Sequence, residues 1–168
     1  VACTDNRLDV RILGGLKQND PADVMRGEET QIRGFLSNFS NFDGIICLPG
    51  THTKWVQVSA GEVISFRTFM SGELFALMSE YSVLKHSVNS DGWNYQEFNS
   101  AVSESISNPQ KLFSDFFKLR ADDLLKKVEK SVLRSKLSGH IIGTELAGAK
   151  PYWLGQNIVI LAKSDLSK

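Results

Sequence analysis

A layered α/β domain with a mixed sheet is the fold class that the sequence predicts, and three observations predict it. Three strand-forming stretches sit close together between tight turns, helical stripes follow them, and a continuous apolar run arrives late in the chain. Hairpin turns can join only antiparallel neighbours, so the first three form a β-meander. The late strand, reached through helices, makes the sheet mixed.

Taken in order, Leu8 to Leu13 alternates and is β-branched enough for a strand, which Gly14-Gly15 ends. Lys17 to Met25 is polar and reads as a loop. From Gly27 to about Ser37 a helix is expected, with Ile32, Phe35 and Leu36 on one face. The meander strands are Gly44 to Leu48, Thr53 to Val58 and Glu62 to Phe69, divided by Pro49-Gly50 and Ala60-Gly61. Leu74, Leu77, Met78, Tyr81 and Leu84 recur at three and four residues and predict one long helix. Asn94 with Glu97 three residues on predicts a capped start for the next helix, which carries Phe98, Val102 and Ile106. Asn108-Pro109 opens a third, with Leu112, Phe113, Phe116 and Phe117. A fourth runs through Leu124, Leu125, Val128, Val132 and Leu133, and a fifth from about Leu137 to Ala149. The apolar run from Asn157 to Ala162 has the composition of a strand buried on both faces, and Ser164 to Lys168 could begin a further helix. A meander, then helices, then a βα unit is similar in order to a ribonuclease H-like domain.

Nineteen Lys and Arg balance nineteen Asp and Glu among the 168 residues, so no basic excess marks a nucleic-acid partner. No aliphatic run, Ile45 to Leu48 included, approaches the length of a membrane helix, which needs roughly 20 apolar residues. Cys3 and Cys47 form neither a disulfide framework nor a zinc motif, and they read as reduced thiols of a cytoplasmic protein. The chain begins at Val1 without Met and carries no signal peptide, and a fragment of a longer product is the expectation.

Four segments could carry chemistry. In Leu48-Pro-Gly-Thr-His-Thr-Lys-Trp55, a Gly-Thr turn between strands could cradle phosphate oxygens on its N–H groups, with the charge of Lys54 nearby. The alternative is a hairpin turn whose Thr, His and Lys face water. In Met25-Arg-Gly-Glu-Glu-Thr-Gln31, Arg26 and the adjacent acids could bind a polyhydroxylated acid and supply a base. Alternatively, Glu28 and Glu29 only complement a helix dipole. In Phe66 to Leu74 a strand ends and a helix begins, so Thr68, Ser71 and Glu73 are either ligand contacts or, for Ser71 and Glu73, a cap and a first-turn acid. In Gly139 to Ala149, two glycines four apart imply close helix packing or approach by a ligand, packing being favoured. His86 and His140 lack spaced metal partners and read as surface or packing residues, and the chain offers no metal site. Lys111 to Lys136 carries eight basic and four acidic residues, as a solvated helix face does.

Together, Met-Arg-Gly-Glu-Glu-Thr-Gln, Leu-Pro-Gly-Thr-His-Thr-Lys-Trp-Val, Phe-Arg-Thr-Phe-Met-Ser-Gly-Glu-Leu-Phe and Ile-Ile-Gly-Thr-Glu-Leu-Ala, in this order, resemble the 2-dehydro-3-deoxygalactonokinase family. That family belongs to the sugar kinase, actin and heat-shock chaperone superfamily, whose two ribonuclease H-like domains close over ATP. The resemblance implies a fold of the actin-like ATPase type, ATP and Mg²⁺, and transfer of phosphate to the 6-hydroxyl of 2-dehydro-3-deoxy-D-galactonate. It implies that Gly50, Thr51, His52, Thr53 and Lys54 form a phosphate hairpin. It also implies that Glu28 takes the proton of the attacking hydroxyl, with Glu29 the alternative, while Arg26, Glu29, Thr68 and Glu73 lie on the substrate side. Residues 1–26 would end an N-terminal domain or interdomain segment, and 27–168 would be a C-terminal domain cut before the rest of its adenosine-binding region. The family's opening Asp-Trp-Gly-Thr type of motif is not found here, so the isolated chain is expected to be a poor kinase, or a remnant serving as a binding or assembly module. Self-association, as a homodimer, is the expected consequence of leaving one wall of a cleft uncovered.

Overall fold

The computed structural model describes residue 7 and residues 14–162. The strand expected over Leu8 to Leu13, the Cys3 thiol and the helical start at Ser164 to Lys168 lie outside the described residues. The polar stretch read as a loop is a hairpin instead. In it, β1 (Leu16–Asn19) and β2 (Ala22–Met25) pair antiparallel about a cis Asp20–Pro21 bond. No apolar alternation announces it, because its side chains hold it in place. Gln18 Oε1 accepts the Phe66 N–H at 3.1 Å, and the Asp23 carboxylate accepts both the N–H and the hydroxyl of Thr68 at 2.7 Å. The hairpin thereby satisfies the outer edge of a strand that would otherwise present open donors.

After α1 (Glu28–Asn38) come β3 (Gly44–Leu48), β4 (Thr53–Ser59) and β5 (Glu62–Phe69), which form the expected meander. The late strand β6 (Ile158–Ile160) runs parallel to β3, giving the order β5-β4-β3-β6 and the mixed sheet that the sequence predicts. Its burial departs from expectation, since Ile158 is 37% and Ile160 61% exposed. An apolar run records what a strand is able to bury, and among the described strands β6 lies at the sheet edge.

The sheet packs two ways. On one face Ile32 and Leu36 of α1, with Met25, cover Ile46, Leu48, Val56, Val58 and Phe66. On the other, Ile45, Cys47 and Trp55 meet Ala149, Leu146, Tyr152 and Trp153. Burial beside Glu145 pushes the Cys47 thiol up to about 12, so it stays protonated and serves as packing.

The helical stripe from Leu74 to Leu84 does not form one helix. It divides into α2 (Ser71–Glu80) and α3 (Lys85–Val88). The Ser82 hydroxyl donates to Met78 O at 2.6 Å and accepts the Leu84 N–H at 3.0 Å, closing a local turn that swings Leu84 into the core. The next helix, α4 (Tyr95–Ser107), starts as predicted, with the Asn94 side chain accepting the Glu97 N–H at 3.0 Å. Glu97 itself reaches Lys136, at 3.1 Å.

A 3₁₀ turn at Pro109–Lys111 leads into α5 (Leu112–Lys126), and α6 (Lys130–Gly148) and α7 (Lys150–Trp153) complete the set. The three helices expected between Pro109 and Ala149 are therefore two. The break falls at Lys127, left-handed at φ 55°, because Leu133, Leu137 and Ile141 make one unbroken stripe. That stripe packs with Leu84, Val88, Phe116 and Leu119 in a second, all-helical core. Buried His140 is a packing residue, its Nδ1 lying 2.9 Å from Ser105 Oγ between α6 and α4.

The two glycines of α6 admit α4. A Cβ at Gly139 would lie 2.6 Å from Phe98 O and 2.8 Å from the Ala101 Cβ, and one at Gly143 would lie 2.5 Å from Val102 O. Ala is favoured over Gly in a helix by about 1 kcal/mol, but backbone overlap outweighs that here. Gly139→Ala is expected to cost about 1–3 kcal/mol in urea unfolding. Gly34→Ala in α1, where nothing lies within 4 Å, is expected to stabilise by about 0.5–1 kcal/mol. A Gly139→Ala protein as stable as the parent would contradict this packing.

Candidate functional site

The β3–β4 turn, the start of α1 and the start of α2 converge at one end of the sheet. Pro49-Gly50 breaks β3, and Gly50, Thr51 and His52 make the turn before β4 resumes at Thr53. No acceptor among the described residues takes the backbone N–H of Gly50, Thr51 or His52, and a Cβ at Gly50 would meet nothing within 4 Å. The turn therefore offers open donors to whatever lies before it.

Its other side is fixed by α2. Thr51 O accepts the Glu73 N–H at 2.9 Å, and a Cβ at Gly72 would fall 2.3 Å from Gly50 O. His52 Nε2 and Glu73 Oε2 are 2.5 Å apart. Ser71 is not the cap of α2, as that alternative had it. Met70 stands at the cap position without a side-chain bond, and the first turn spends Gly72 and Glu73 on the hairpin. Neither Gly72 nor the Thr68-holding Asp23 was marked by the sequence patterns, although the Gly between Ser71 and Glu73 at a helix start was the available signal.

Glu28 and Lys54 meet beneath the turn. Lys54 Nζ lies 3.0 Å from Glu28 Oε1 and donates to His52 O at 3.1 Å, with its side chain only 4% exposed. Lys54 is thus a buried cation with two acceptors, not a lysine facing water. Burial opposes the charge of Glu28. The Lys54 hydrogen bond and the backbone N–H groups of Glu28 and Arg26 outweigh it, holding this carboxyl below the usual range. Gly27, at φ 116°, occupies the cap position, where a side chain would be strained. Glu29 curls back to accept the Gly27 N–H at 2.6 Å and so closes the helix start.

The other predicted positions fall around this pair. Thr68 is paired across strands with Lys54 and anchored by Asp23. Arg26 is exposed beside Gly27, whereas Thr53 is buried on the opposite side of β4 from Lys54. On that opposite face the fourth motif supplies Glu145, which accepts the Trp55 indole N–H at 2.8 Å and ties α6 to β4. No group of three potential metal ligands occurs among the described residues. No helix among them is long and apolar enough to cross a membrane.

A mixed sheet of this order, helices on both faces and a donor-rich turn at one end define a domain of the actin-like ATPase fold class. A crystal structure of a Sinorhizobium meliloti protein matches it with a TM-score of 0.85 at 34% identity, over 96% of this chain and 64% of that one. The family model described as 2-keto-3-deoxy-galactonokinase matches residues 2–168, and the chain belongs to that family. Among its relatives, "Probable 2-dehydro-3-deoxygalactonokinase DgoK1" of Rhizobium meliloti (strain 1021) is 40% identical over 88% of this chain and 50% of its own length. The 2-dehydro-3-deoxygalactonokinase of Escherichia coli (strain K12) is 30% identical over 91% of this chain and 52% of its own. The chain thus spans about half the length of these curated relatives.

The depressed Glu28 pKa has a sign. The pair stabilises the fold fully above the ordinary glutamate value of about 4.3, and that contribution is lost as pH falls through the lower folded value. Asp122, held down by Lys126, and Asp123, held down by Ser87, titrate in the same window, so the comparison must be with a variant. Glu28→Gln leaves Lys54 buried without its carboxylate and is expected to cost about 2–4 kcal/mol at pH 7. Its urea-unfolding stability should then fall less steeply than the parent's between pH 6 and pH 3. Parallel pH profiles would contradict the pairing.

Proposed function

We propose that this chain forms the C-terminal wall of a cleft in which ATP phosphorylates 2-dehydro-3-deoxy-D-galactonate at its 6-hydroxyl, with residues 1–26 arriving from an N-terminal domain. The reading rests on family membership together with one observation, the open N–H groups of Gly50, Thr51 and His52 above the Glu28–Lys54 pair. Those donors suit the terminal phosphates of ATP, and Lys54 adds a positive charge from beneath. Thr53 shapes the turn from the other side of the strand.

Glu28 is the proposed base. Phosphoryl transfer of this type proceeds through a loose transition state, so the carboxylate needs chiefly to be ionised, aimed and close. Lys54 meets the first two needs by fixing Glu28 Oε1 and keeping the group charged. The exposed guanidinium of Arg26 suits the carboxylate of the sugar acid, with Glu29, Thr68 and Glu73 on the same side. With ATP bound, Mg²⁺ would supply charge neutralisation at the phosphates, and the described residues offer no cluster of three potential ligands to hold it. A homodimer and a cytoplasmic location complete the proposal.

The test is ADP release by the full-length gene product with and without the sugar acid. Substrate-dependent release is expected, and its absence despite ATP binding would favour a binding or assembly module instead. Glu28→Gln should lower kcat by about 10²–10⁴, a larger effect than the loss of ATP affinity that an unpaired Lys54 brings. Turnover retained in that variant would move the base elsewhere.

A further inference from the structure

The turn that carries the open N–H groups is held from outside. Among the described residues, no backbone hydrogen bond joins one residue of the stretch from Pro49 to His52 to another. The ties that fix it come from elsewhere. Lys54 donates to His52 O from beneath at 3.1 Å, and α2 supplies the rest through a single residue. The Glu73 N–H donates to Thr51 O at 2.9 Å, and the Glu73 carboxylate lies 2.5 Å from His52 Nε2. Gly72 lets that residue come so close, since a Cβ there would fall 2.3 Å from Gly50 O and 2.9 Å from the Thr51 Cα. The carbonyls of Thr51 and His52 are thus taken up, while the N–H groups of the turn stay open.

We propose that Glu73 is a positioning residue for the phosphates of ATP, acting through Thr51 and His52, and that it makes no contact with the sugar acid. The proposal rests on the reading of this turn as the phosphate hairpin. The side chains of His52 and Glu73 are 45% and 37% exposed, so the pair adds little to the stability of the fold. Its contribution is preorganisation. A turn without internal bonds samples many conformations, and a ligand that needs several donors aligned at once must meet the cost of ordering them. Tying Thr51 and His52 to the start of α2 removes that cost before ATP arrives. Glu73 stands on the sugar-acid side of the turn, but its carboxylate is spent on His52. As an anion it would also repel the carboxylate of a sugar acid brought against it. One residue therefore serves the phosphates from behind the turn, by its N–H and by its side chain.

Calorimetric titration of the full-length gene product, with ATP·Mg²⁺ and with the sugar acid separately, tests this. Glu73→Ala is expected to weaken ATP binding about three- to ten-fold and to leave sugar-acid affinity within about two-fold of the parent. His52→Ala should do the same, and the double variant should be no worse than either single one, because both remove one tie. Glu73→Gln, whose amide oxygen can still accept from His52 Nε2, should recover most of the loss. If Glu73→Ala fails to fold, His52→Ala and the sugar-acid affinity of Glu73→Gln carry the test. Sugar-acid binding weakened as much as ATP binding, or losses that add in the double variant, would overturn the inference and leave the phosphate reading of the turn standing. A parent protein that binds no ATP would overturn that reading, and the inference with it.

Discussion

A carboxylate and an ammonium brought out of water together hold the turn-bearing end of the sheet in place. Glu28 opens α1 and Lys54 lies in the central strand β4, so their contact fixes where the helix enters relative to the sheet. The geometry is strict because Lys54 is almost wholly buried. An ammonium in that position must find acceptors or give up its charge. It finds the Glu28 carboxylate and the carbonyl of His52, which belongs to the turn. One buried cation therefore couples the helix start to the hairpin, and neither can shift without exposing the charge. Gly27 and Glu29 close the same helix start by local means, a positive φ and a returned carboxylate.

The sheet carries this arrangement between two differently built layers. The α1 side is an apolar core of aliphatic residues and Phe66, with Lys54 and Thr68 on the same face of the sheet. The α6 side includes the buried Glu145, whose bond to the Trp55 indole orients β4 from behind. Trp55 and Lys54 are consecutive, so each face of the strand is pinned by a directed polar contact, the indole to Glu145 on one side and the ammonium to Glu28 and His52 O on the other. Hydrophobic burial supplies most of the cohesion of such a sheet, but it is indifferent to small slides along a strand. Directed polar contacts supply the register, and here they cluster at the end where the turn opens.

What could be read in advance depended on whether the determinant was local. Pro49-Gly50, Ala60-Gly61 and Asn94 act within a few residues, and the strand limits and the α4 cap that they mark are found in place. The hairpin at Leu16 to Met25 was illegible because its stability comes from Gln18 and Asp23 acting on β5, more than forty residues away. The split of the α2 stripe turns on one Ser82 hydroxyl competing for the backbone, which no apolar periodicity reports. For the candidate site, residue types and order pointed to three segments that the fold brings together at one end of the sheet. The burial of Lys54 could not be foreseen, because alternation along β4 assigns it a face and not what covers that face. The run at Ile158 to Ile160 shows the same limit in reverse, an apolar strand whose isoleucines stay exposed.

The depressed pKa of Glu28 bears on what such a carboxylate can do. A stronger acid is a weaker base, so pairing with Lys54 lowers the driving force for taking a proton. The same pairing keeps the group ionised at neutral pH and holds its Oε1 oxygen still. Where the transition state is loose, the nucleophile's proton departs late and basicity matters less than alignment. A carboxylate fixed by a buried lysine suits that demand better than a free, more basic one. The overall neutrality of the chain is no obstacle to handling a polyanion, because the relevant charge is local: open N–H groups on one side of a turn and one buried ammonium under it.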